Sequence, residues 1–384
     1  MFTPLTKADL AGFATDARVY CQPTCLVERP HGLDGRVARI ADTMVWFAAW
    51  NLAVREPGGA VREALVGVEQ MAEWIAAMPD GLAERAAAQI AAVSSPCAAL
   101  DLNGRTIRLA EPQIIGILNC TPDSFSDGGK HGDAEAACAA GVDMAALGAA
   151  IIDVGGESTR PGAPLVWEGD EMARIIPVIE RLARAGVAVS VDTRKAAVME
   201  AALGAGAGLV NDVSALCYDN RAAAVVAGAG CPVVLMHAPS QTSDPHDVSK
   251  LRGARYDDIL YDVFDWLEAA VARSVAAGIA RERIIVDPGI GFGKGVQDNL
   301  RLTGGLALFH ALGCPLLYGA SRKRMIGALD GEAAADARLG GSLALAYQAA
   351  SSGAQLHRVH DVAQTRQVLR VWRGLRDAAL ANNH

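Results

Sequence analysis

The chain has 384 residues, of which 51% are hydrophobic and 20% are charged, and it carries a net charge of −8 with a pI near 5.5. This composition is sufficient for a large buried core and argues against a mainly disordered chain. The acidic balance also argues against general nucleic-acid binding, which needs a basic surface, and no apolar stretch reaches the roughly 20 residues of a membrane-spanning helix.

The first 97 residues are predicted to form a separate region. Three segments, Arg36–Val54, Gly59–Ala77 and Gly81–Val93, have apolar residues at helical spacing, so we expect a mainly helical N-terminal extension. Tryptophans in the first two segments are expected to be core residues rather than a binding site. The start of the chain lacks the basic and then apolar pattern of a signal peptide, which favours a cytoplasmic location.

The segment Leu100–Leu109 alternates apolar and polar residues around Asn103-Gly104. An Asn-Gly pair between alternating runs predicts a β-hairpin with a type I′ turn. We expect this hairpin to plug the bottom of the domain that follows it.

From about residue 114 the chain alternates short apolar runs with longer amphipathic segments such as Glu168–Ala185 and Tyr256–Ala277. Eight strand–helix units over roughly 250 residues predict an α/β fold, a TIM (β/α)8 barrel over residues 98–384. A doubly wound open sheet is the alternative, although it usually has fewer strands and a glycine-rich first turn. The predicted strands are Ile114–Asn119, Ala150–Val154, Ala188–Asp192, Leu209–Asp212, Pro232–Met236, Arg283–Asp287, Pro315–Gly319 and Gln355–His360.

Every predicted strand is followed by polar residues, at the end where a barrel carries its active site. A single aspartate after a strand is usually a helix N-cap, but eight coincident cases indicate a polar pocket. Asp192, Asn211 and Asp287 suit a flat heterocycle that presents N–H donors and a carbonyl. Lys323 could donate to the ring's acceptors, and Met236 and Phe292 could pack on its faces.

A second set of residues at the same end suits an anionic group. Arg160, Arg358 and His360 are suited to a phosphate or pyrophosphate. Asn119 and Asp127 offer hard oxygen ligands, so we expect a Mg²⁺ ion that keeps several waters and bridges phosphate oxygens.

Two glycine-rich strings do not predict a nucleotide site. Gly289–Gly295 matches neither phosphate-loop pattern, and Gly155-Gly156 is expected to permit a tight turn or a close backbone approach. The eight cysteines are scattered without a zinc-site spacing, so reduced and mostly buried thiols are expected.

Seven strings resemble the dihydropteroate synthase family over about residues 100–380. They occur in the family order, and the first, the second and the penultimate are distinctive. The strings are ILNCTPDSFSDGG, DVGGESTRPGA, VDTRK, NDVSAL, DPGIGFGK, GASRKRMIG and RVHDV.

The resemblance implies the condensation of 6-hydroxymethyl-7,8-dihydropterin pyrophosphate with p-aminobenzoate to 7,8-dihydropteroate and pyrophosphate. It also implies a homodimer. Its implied catalytic residues are Asp192, Asp287, Lys323, Arg358 and His360. The residues implied to bind pterin are Asp192, Asn211, Met236, Asp287, Phe292, Lys323 and Arg358, and those implied to bind pyrophosphate are Asn119, Thr159, Arg160, Arg358 and His360. The residues implied to bind p-aminobenzoate are Phe125, Thr159, Arg160, Pro161, Lys323 and Arg324. Asn119 and Asp127 are implied to bind Mg²⁺.

The sequence departs from the family in three places. Arg324 stands where many members have serine, and Cys120 replaces a commoner valine. The N-terminal extension is absent from the short bacterial enzymes, and we expect it to be a scaffold or to support a dimer. Two other functions stay open at this point: a methyltransferase that uses a reduced folate, and a pterin-binding paralogue without turnover.

Overall fold

The computed structural model describes residues 3–121, 129–158, 163–239 and 255–381, with only the backbone described for 129–133. Its strands, numbered in chain order, are β1 (Thr3–Pro4), β2 (Arg18–Val27), β3 (Ala38–Arg39), β4 (Trp46–Arg55), β5 (Val61–Gly67), β6 (Leu100–Leu102), β7 (Arg105–Ile107), β8 (Gln113–Asn119), β9 (Ile151–Gly155), β10 (Val189–Asp192), β11 (Leu209–Asp212), β12 (Val233–Met236), β13 (Ile284–Asp287), β14 (Leu317–Tyr318) and β15 (Leu356–Val359).

The α-helices within the described ranges are α1 (Met71–Ile75), α2 (Asp80–Ser94), α3 (Gly129–Leu147), α4 (Glu168–Arg184), α5 (Ala196–Gly204), α6 (Ala222–Ala229), α7 (Ile259–Ala276), α8 (Val296–Gly304), α9 (Arg324–Leu329), α10 (Leu339–Ser351) and α11 (Val362–Leu380). None of these helices is both long enough and apolar enough to cross a bilayer.

The predicted barrel is confirmed. Strands β8 to β15 form one parallel sheet in the order β13-β12-β11-β10-β9-β8-β15-β14. Its two ends meet where the Val286 N–H donates to the Pro315 carbonyl at 2.9 Å, beside a parallel bridge from Val286 to Leu316. All eight strands lie within two residues of their predicted bounds, because each is a short and mostly buried run.

The hairpin β6–β7 closes the bottom of the barrel, as predicted. Asn103 and Gly104 both have positive φ, +53° and +84°, which a type I′ turn requires. Its apolar side chains pack in one cluster with the first inward-facing residue of every barrel strand. The cluster contains Leu100, Leu102, Ile107 and Leu109 with Ile115, Ile151, Ala188, Leu209, Val234, Ile285, Leu317 and Leu356.

The prediction of a mainly helical extension is wrong. The described part of residues 1–97 holds a five-stranded sheet of order β1-β5-β4-β2, with β3 also paired to β4, and one long helix, α2. Of the three predicted helices only Gly81–Val93 is confirmed. Strand β4 is central and mostly buried, so its sequence is almost continuously apolar and lacks the alternation that distinguishes a strand from a buried helix.

Helix α2 packs against the edge strand β2 of this sheet. Gln89 on α2 accepts from the Cys21 N–H at 2.9 Å and donates to the Val19 carbonyl at 2.8 Å. These contacts occupy backbone groups that β2, as an edge strand, would otherwise leave unpaired.

One face of the sheet packs on α7 of the barrel. Arg18 donates to Asp265 at 2.6 Å, Arg55 donates to Asp262 at 2.6 Å, and the Tyr20 and Tyr261 rings stack with centroids 4.2 Å apart. Extension and barrel therefore share one continuous core.

Candidate active site

The barrel interior changes from apolar to polar within two residues. Because side chains alternate along a strand, residues two positions beyond the apolar floor point to the same interior. These positions hold Ile117, Asp153, Ser190, Asn211, Met236, Asp287, Gly319 and Arg358. Five of the eight can form side-chain hydrogen bonds, so a polar layer lies directly above the hydrophobic floor.

Asp153 is the centre of this layer. It is 1% exposed, and its carboxylate accepts from Arg358 Nε at 2.6 Å, from Asn211 Nδ2 at 3.0 Å and from the Ser190 hydroxyl. The sequence analysis did not select Asp153 as a site residue, because its partners come from other strands. The signal was available: Asp153 lies two residues before Gly155, on the inward face of β9.

Asp192 lies at the end of β10, one step above this layer. Its Oδ2 accepts from Arg358 Nη2 at 2.6 Å, whereas its buried Oδ1 has no hydrogen-bond partner among the described residues. Burial, with a smaller contribution from nearby Asp153, raises the pKa of Asp192 to about 7 against the opposing effect of Arg358. The site thus holds a buried acceptor that a ligand donor could satisfy.

Asp287 faces the same pocket from the end of β13. Its Oδ1 accepts from the Gly289 N–H at 2.7 Å, and burial raises the pKa of Asp287 above its ordinary value. The glycine-rich string beyond it is structural: Lys294 Nζ donates to the carbonyls of Gly289 at 2.8 Å, Phe292 at 3.1 Å and His237 at 3.2 Å. Lys294 therefore holds the backbone of this string in place.

An apolar wall stands beside these acids. Met236 packs with Val213 and Ala238, and Phe292 lies against them. Lys323 Nζ lies 4.1 Å from the centroid of the Phe292 ring, a cation–π distance. The predicted flat-ring contacts and the predicted amine are therefore brought together.

His360 is held by the loop after β14. The Ser321 hydroxyl accepts from the His360 backbone N–H at 3.2 Å and lies 3.0 Å from His360 Nδ1. We assign the Ser321 proton to Nδ1, which leaves Nε2–H as a donor. Burial, Arg358 and Arg322 lower the pKa of His360 to about 4, so the ring is neutral at pH 7.

Arg322 ties the loops after β14 and β15 together. Its guanidinium donates to both carboxylate oxygens of Asp361, from Nε at 3.0 Å and from Nη2 at 2.5 Å. Its backbone has φ +57°, a strained value for a non-glycine residue. This pair fixes the residues next to Lys323 and His360.

Comparison with known proteins decides the family. Residues 115–360 match the family described as pterin binding enzyme. The Escherichia coli K12 dihydropteroate synthase is 44% identical over 269 residues, 70% of this chain and 93% of that protein. The chain belongs to the dihydropteroate synthase family. The matched family region begins at residue 115, so the extension lies outside it.

Solved structures of dihydropteroate synthases share the barrel. The Xanthomonas albilineans enzyme with 4-aminobenzoic acid is 46% identical with a TM-score of 0.67, covering 73% of this chain and 98% of that one. The same enzyme in complex with 7,8-dihydropteroate is 44% identical with a TM-score of 0.65, covering 72% and 98%.

Some expected dihydropteroate synthase residues cannot be placed. Phe125, Asp127, Thr159, Arg160 and Pro161 lie outside the described residues. Asn119 ends β8 half-buried, and its side chain has no hydrogen bond to another described residue, whereas Arg324 is exposed at the start of α9. The described ranges contain no cluster of three His, Cys, Asp or Glu placed to hold a metal.

The remaining minor expectations are largely met. All eight cysteines are free, and only Cys25 is exposed. A Cβ on Gly156 would lie 2.8 Å from Ile175 and 3.1 Å from the Glu171 carbonyl, so this glycine permits close approach of β9 to α4. The close approach expected at Gly155-Gly156 is therefore confirmed at Gly156.

Proposed function

We propose that the protein condenses 6-hydroxymethyl-7,8-dihydropterin pyrophosphate with p-aminobenzoate, forming 7,8-dihydropteroate and releasing pyrophosphate. The observation that carries this proposal is the unpartnered Oδ1 of Asp192 within the network of Asp153, Asn211 and Arg358. A pterin ring supplies N–H donors for such an oxygen and a carbonyl for Lys323. Met236 and Phe292 support the faces of the ring.

Departure of pyrophosphate leaves positive charge on the pterin, and the pocket floor is suited to stabilise it. One guanidinium, that of Arg358, lies between the carboxylates of Asp153 and Asp192, and Asp287 adds a third carboxyl group. Preorganised negative charge in a buried site stabilises a developing cation more strongly than water does. We therefore assign Asp192 and Asp287 to stabilisation of the pterin cation.

The leaving pyrophosphate needs donors at the mouth of the barrel. His360 offers a neutral N–H through Nε2, and Arg358 has a further nitrogen beyond the two that bind carboxylates. Thr159 and Arg160 are assigned to the same group from the sequence pattern. In this arrangement Arg358 supports both the pterin and the pyrophosphate.

A Mg²⁺ ion fits the donor chemistry of this mouth. Asn119 supplies one amide oxygen without a described competing hydrogen bond, and Asp127 follows it closely in sequence. Asn119 and Asp127 would hold such an ion, and it would neutralise negative charge on the leaving pyrophosphate. For p-aminobenzoate the assigned residues are Phe125, Thr159, Arg160, Pro161, Lys323 and Arg324.

We assign a scaffolding role to the extension, supported by its shared core with α7, and a homodimeric state to the protein. An apolar groove on α10 and α11, lined in part by Leu343, Tyr347 and Val371, supports the second assignment. Tyr347 and Val371 are 40% and 57% exposed. A second copy packed on this face would cover them. A cytoplasmic location and the lack of nucleic-acid and membrane partners stay predictions from the sequence.

The test is pyrophosphate release by purified protein given dihydropterin pyrophosphate, with and without p-aminobenzoate and Mg²⁺. Release coupled to dihydropteroate formation is expected only when all components are present. Folded protein that binds the pterin but forms no dihydropteroate contradicts the proposal. Methyl transfer from a reduced folate would then identify the methyltransferase alternative, and binding without any turnover the paralogue.

A further inference from the structure

The backbone of Val166, a few residues after Glu157 in sequence, contacts two charged side chains. The Val166 N–H donates to Glu157 Oε1 at 2.9 Å, and the Val166 carbonyl accepts from Lys195 Nζ at 2.7 Å. The neighbouring side chains do little to fix this point, because Leu165 is 58% exposed and Trp167 is 71% exposed. Polar contacts, rather than core packing, therefore hold Val166 in place.

These contacts belong to a buried cluster of four charged residues, Glu157, Glu171, Arg194 and Lys195, which we call the loop-base cluster. Lys195 Nζ lies 2.6 Å from Glu171 and 3.1 Å from Glu157, so with the Val166 carbonyl each of its three protons has an acceptor. Arg194 Nε donates to Glu157 at 3.3 Å. The four side chains are between 0% and 9% exposed.

The loop-base cluster connects three neighbouring units of the barrel. Glu157 follows β9, Glu171 lies in the first turn of α4, and Arg194 and Lys195 follow β10 directly after Asp192-Thr193. The Arg194 guanidinium also lies 4.0 Å from the centroid of Tyr218, beyond β11. Burial would raise the pKa of Glu157, but the Val166 N–H and the two cations outweigh it and keep that pKa low.

We propose that the loop-base cluster is a positioning device for p-aminobenzoate binding, which fixes the start and the end of the segment 158–165 relative to the pterin floor. This inference rests on the proposed function, because Thr159, Arg160 and Pro161 within the segment are assigned to p-aminobenzoate. Lys195 acts through the Val166 backbone and does not touch substrate. The pterin floor depends on strand ends and is not anchored through Val166.

The test is a charge-balanced double variant, Glu171→Met/Lys195→Met, which frees the Val166 carbonyl without leaving one buried charge unpaired. The matched control is Glu180→Met/Arg184→Met, which removes an exposed ion pair of 2.9 Å from the same helix. A misplaced binding loop is expected to raise the KM for p-aminobenzoate by about tenfold or more. Affinity for 6-hydroxymethylpterin, which lacks the pyrophosphate assigned to Thr159 and Arg160, is measured by calorimetry and is expected to change by less than about twofold.

Amide hydrogen exchange over residues 158–166 provides a readout that does not need turnover. Exchange is expected to be faster in the double variant than in wild type and unchanged in the control. The proposal is overturned if the folded double variant matches the control in both readouts, or if pterin affinity falls as much as p-aminobenzoate KM rises. Wild-type protein that forms no dihydropteroate contradicts the proposed function instead, and hydrogen exchange then still tests the anchoring of Val166.

Discussion

Arg358 Nε lies 2.6 Å from Asp153 Oδ2, joining the last strand of the barrel to the second across 205 positions of sequence. The same guanidinium reaches Asp192 at 2.6 Å. One cation thus serves two buried carboxyl groups, so the floor of the pocket carries excess negative charge once both are ionised. This excess is the electrostatic basis for holding a cationic pterin.

Replacing Arg358 tests that basis. Arg358→Met leaves two buried carboxyl groups without their cation, which is expected to lower the free energy of unfolding by about 3–5 kcal/mol. Dihydropteroate formation is expected to fall roughly 100-fold or more. Denaturant unfolding and a coupled turnover assay measure both. The control is Arg373→Met, which removes a half-buried arginine of α11 that pairs with Glu111 and Asp377 and has no contact with the pocket acids.

A second variant separates the two effects of Arg358. Asp153→Asn/Arg358→Met removes one of the stranded charges, so it should recover part of the lost stability but none of the activity. Full activity in either variant would contradict the assignment of Arg358 to the site.

The raised pKa of Asp192 predicts a pH-dependent stability difference. Because its folded pKa of about 7 exceeds the ordinary 3.8, the native state binds the proton more tightly than the unfolded chain. This group's contribution to the free energy of unfolding is therefore lost as pH rises from about 4 to about 7. Asp192→Asn removes this loss. The free energy of unfolding of the variant, relative to that of wild type, should therefore increase as the pH is raised from 5 to 8, by on the order of 2 kcal/mol.

Chemical denaturation at the two pH values measures this gain. Buried histidines such as His310 and His357, whose pKa values burial lowers to about 4, titrate in both proteins and cancel in the difference. Glu84→Gln, an exposed change on α2, gives the baseline. A stability difference that is constant across the range would mean that Asp192 does not titrate there.

The pair Arg322–Asp361 is predicted to matter for catalysis through its neighbours. Arg322→Ala frees the loop that carries Ser321 and Lys323, and with it the orientation of His360. We expect kcat/KM for the pterin substrate to fall by about tenfold. The melting temperature is expected to change only slightly. The comparison variant is Arg301→Ala, which removes the ion pair to Asp258, 2.7 Å long, away from these loops. Equal losses of activity in both variants would show a general effect of removing arginine.

The extension is predicted to be required for a folded barrel. Deleting residues 1–97 uncovers Tyr261 and Phe264 and leaves the acidic face of α7 without Arg18 and Arg55. Insoluble or thermally unstable protein is expected. In the full chain, Arg55→Met should lower the free energy of unfolding by about 1–3 kcal/mol, because the Arg55 side chain is only 16% exposed. Lys7→Met breaks an exposed ion pair and should leave the free energy of unfolding almost unchanged.

A truncated barrel as stable as the whole chain would refute the scaffold role. Turnover of any folate-pathway step by isolated residues 1–97 would point instead to a second activity.

The barrel and much of its site could be predicted from sequence because local pattern and tertiary environment agree there. The barrel strands are mostly buried, and the predicted pocket residues Asp192, Asn211 and Asp287 lie at or next to the ends of three of them, where the sequence pattern located them. The extension could not be predicted in the same way, since β4 is buried like a core helix and the pairing that makes it a strand is not local. Asp153 was missed because its role depends on partners from β11 and β15.

The turn of the bottom hairpin offers a clean stability test. Gly104 has φ +84°, and a Cβ there would meet no other atom within 4 Å. Gly104→Ala should therefore cost about 1 kcal/mol through backbone strain alone. Gly12→Ala, at an equally open position without positive φ, is the control. Equal thermal shifts in the two variants would contradict the type I′ assignment.

The same hairpin gives the chain an order of assembly. Leu100 and Leu102 precede the barrel, yet they pack in one cluster with Leu317 and Leu356 near its end. Contacts of such long sequence separation form slowly. During synthesis the hairpin is made before the strands on which it packs. The nascent chain must therefore keep apolar surface exposed until β15 is made, and insertion of that strand completes the bottom layer and commits the whole protein to its native state.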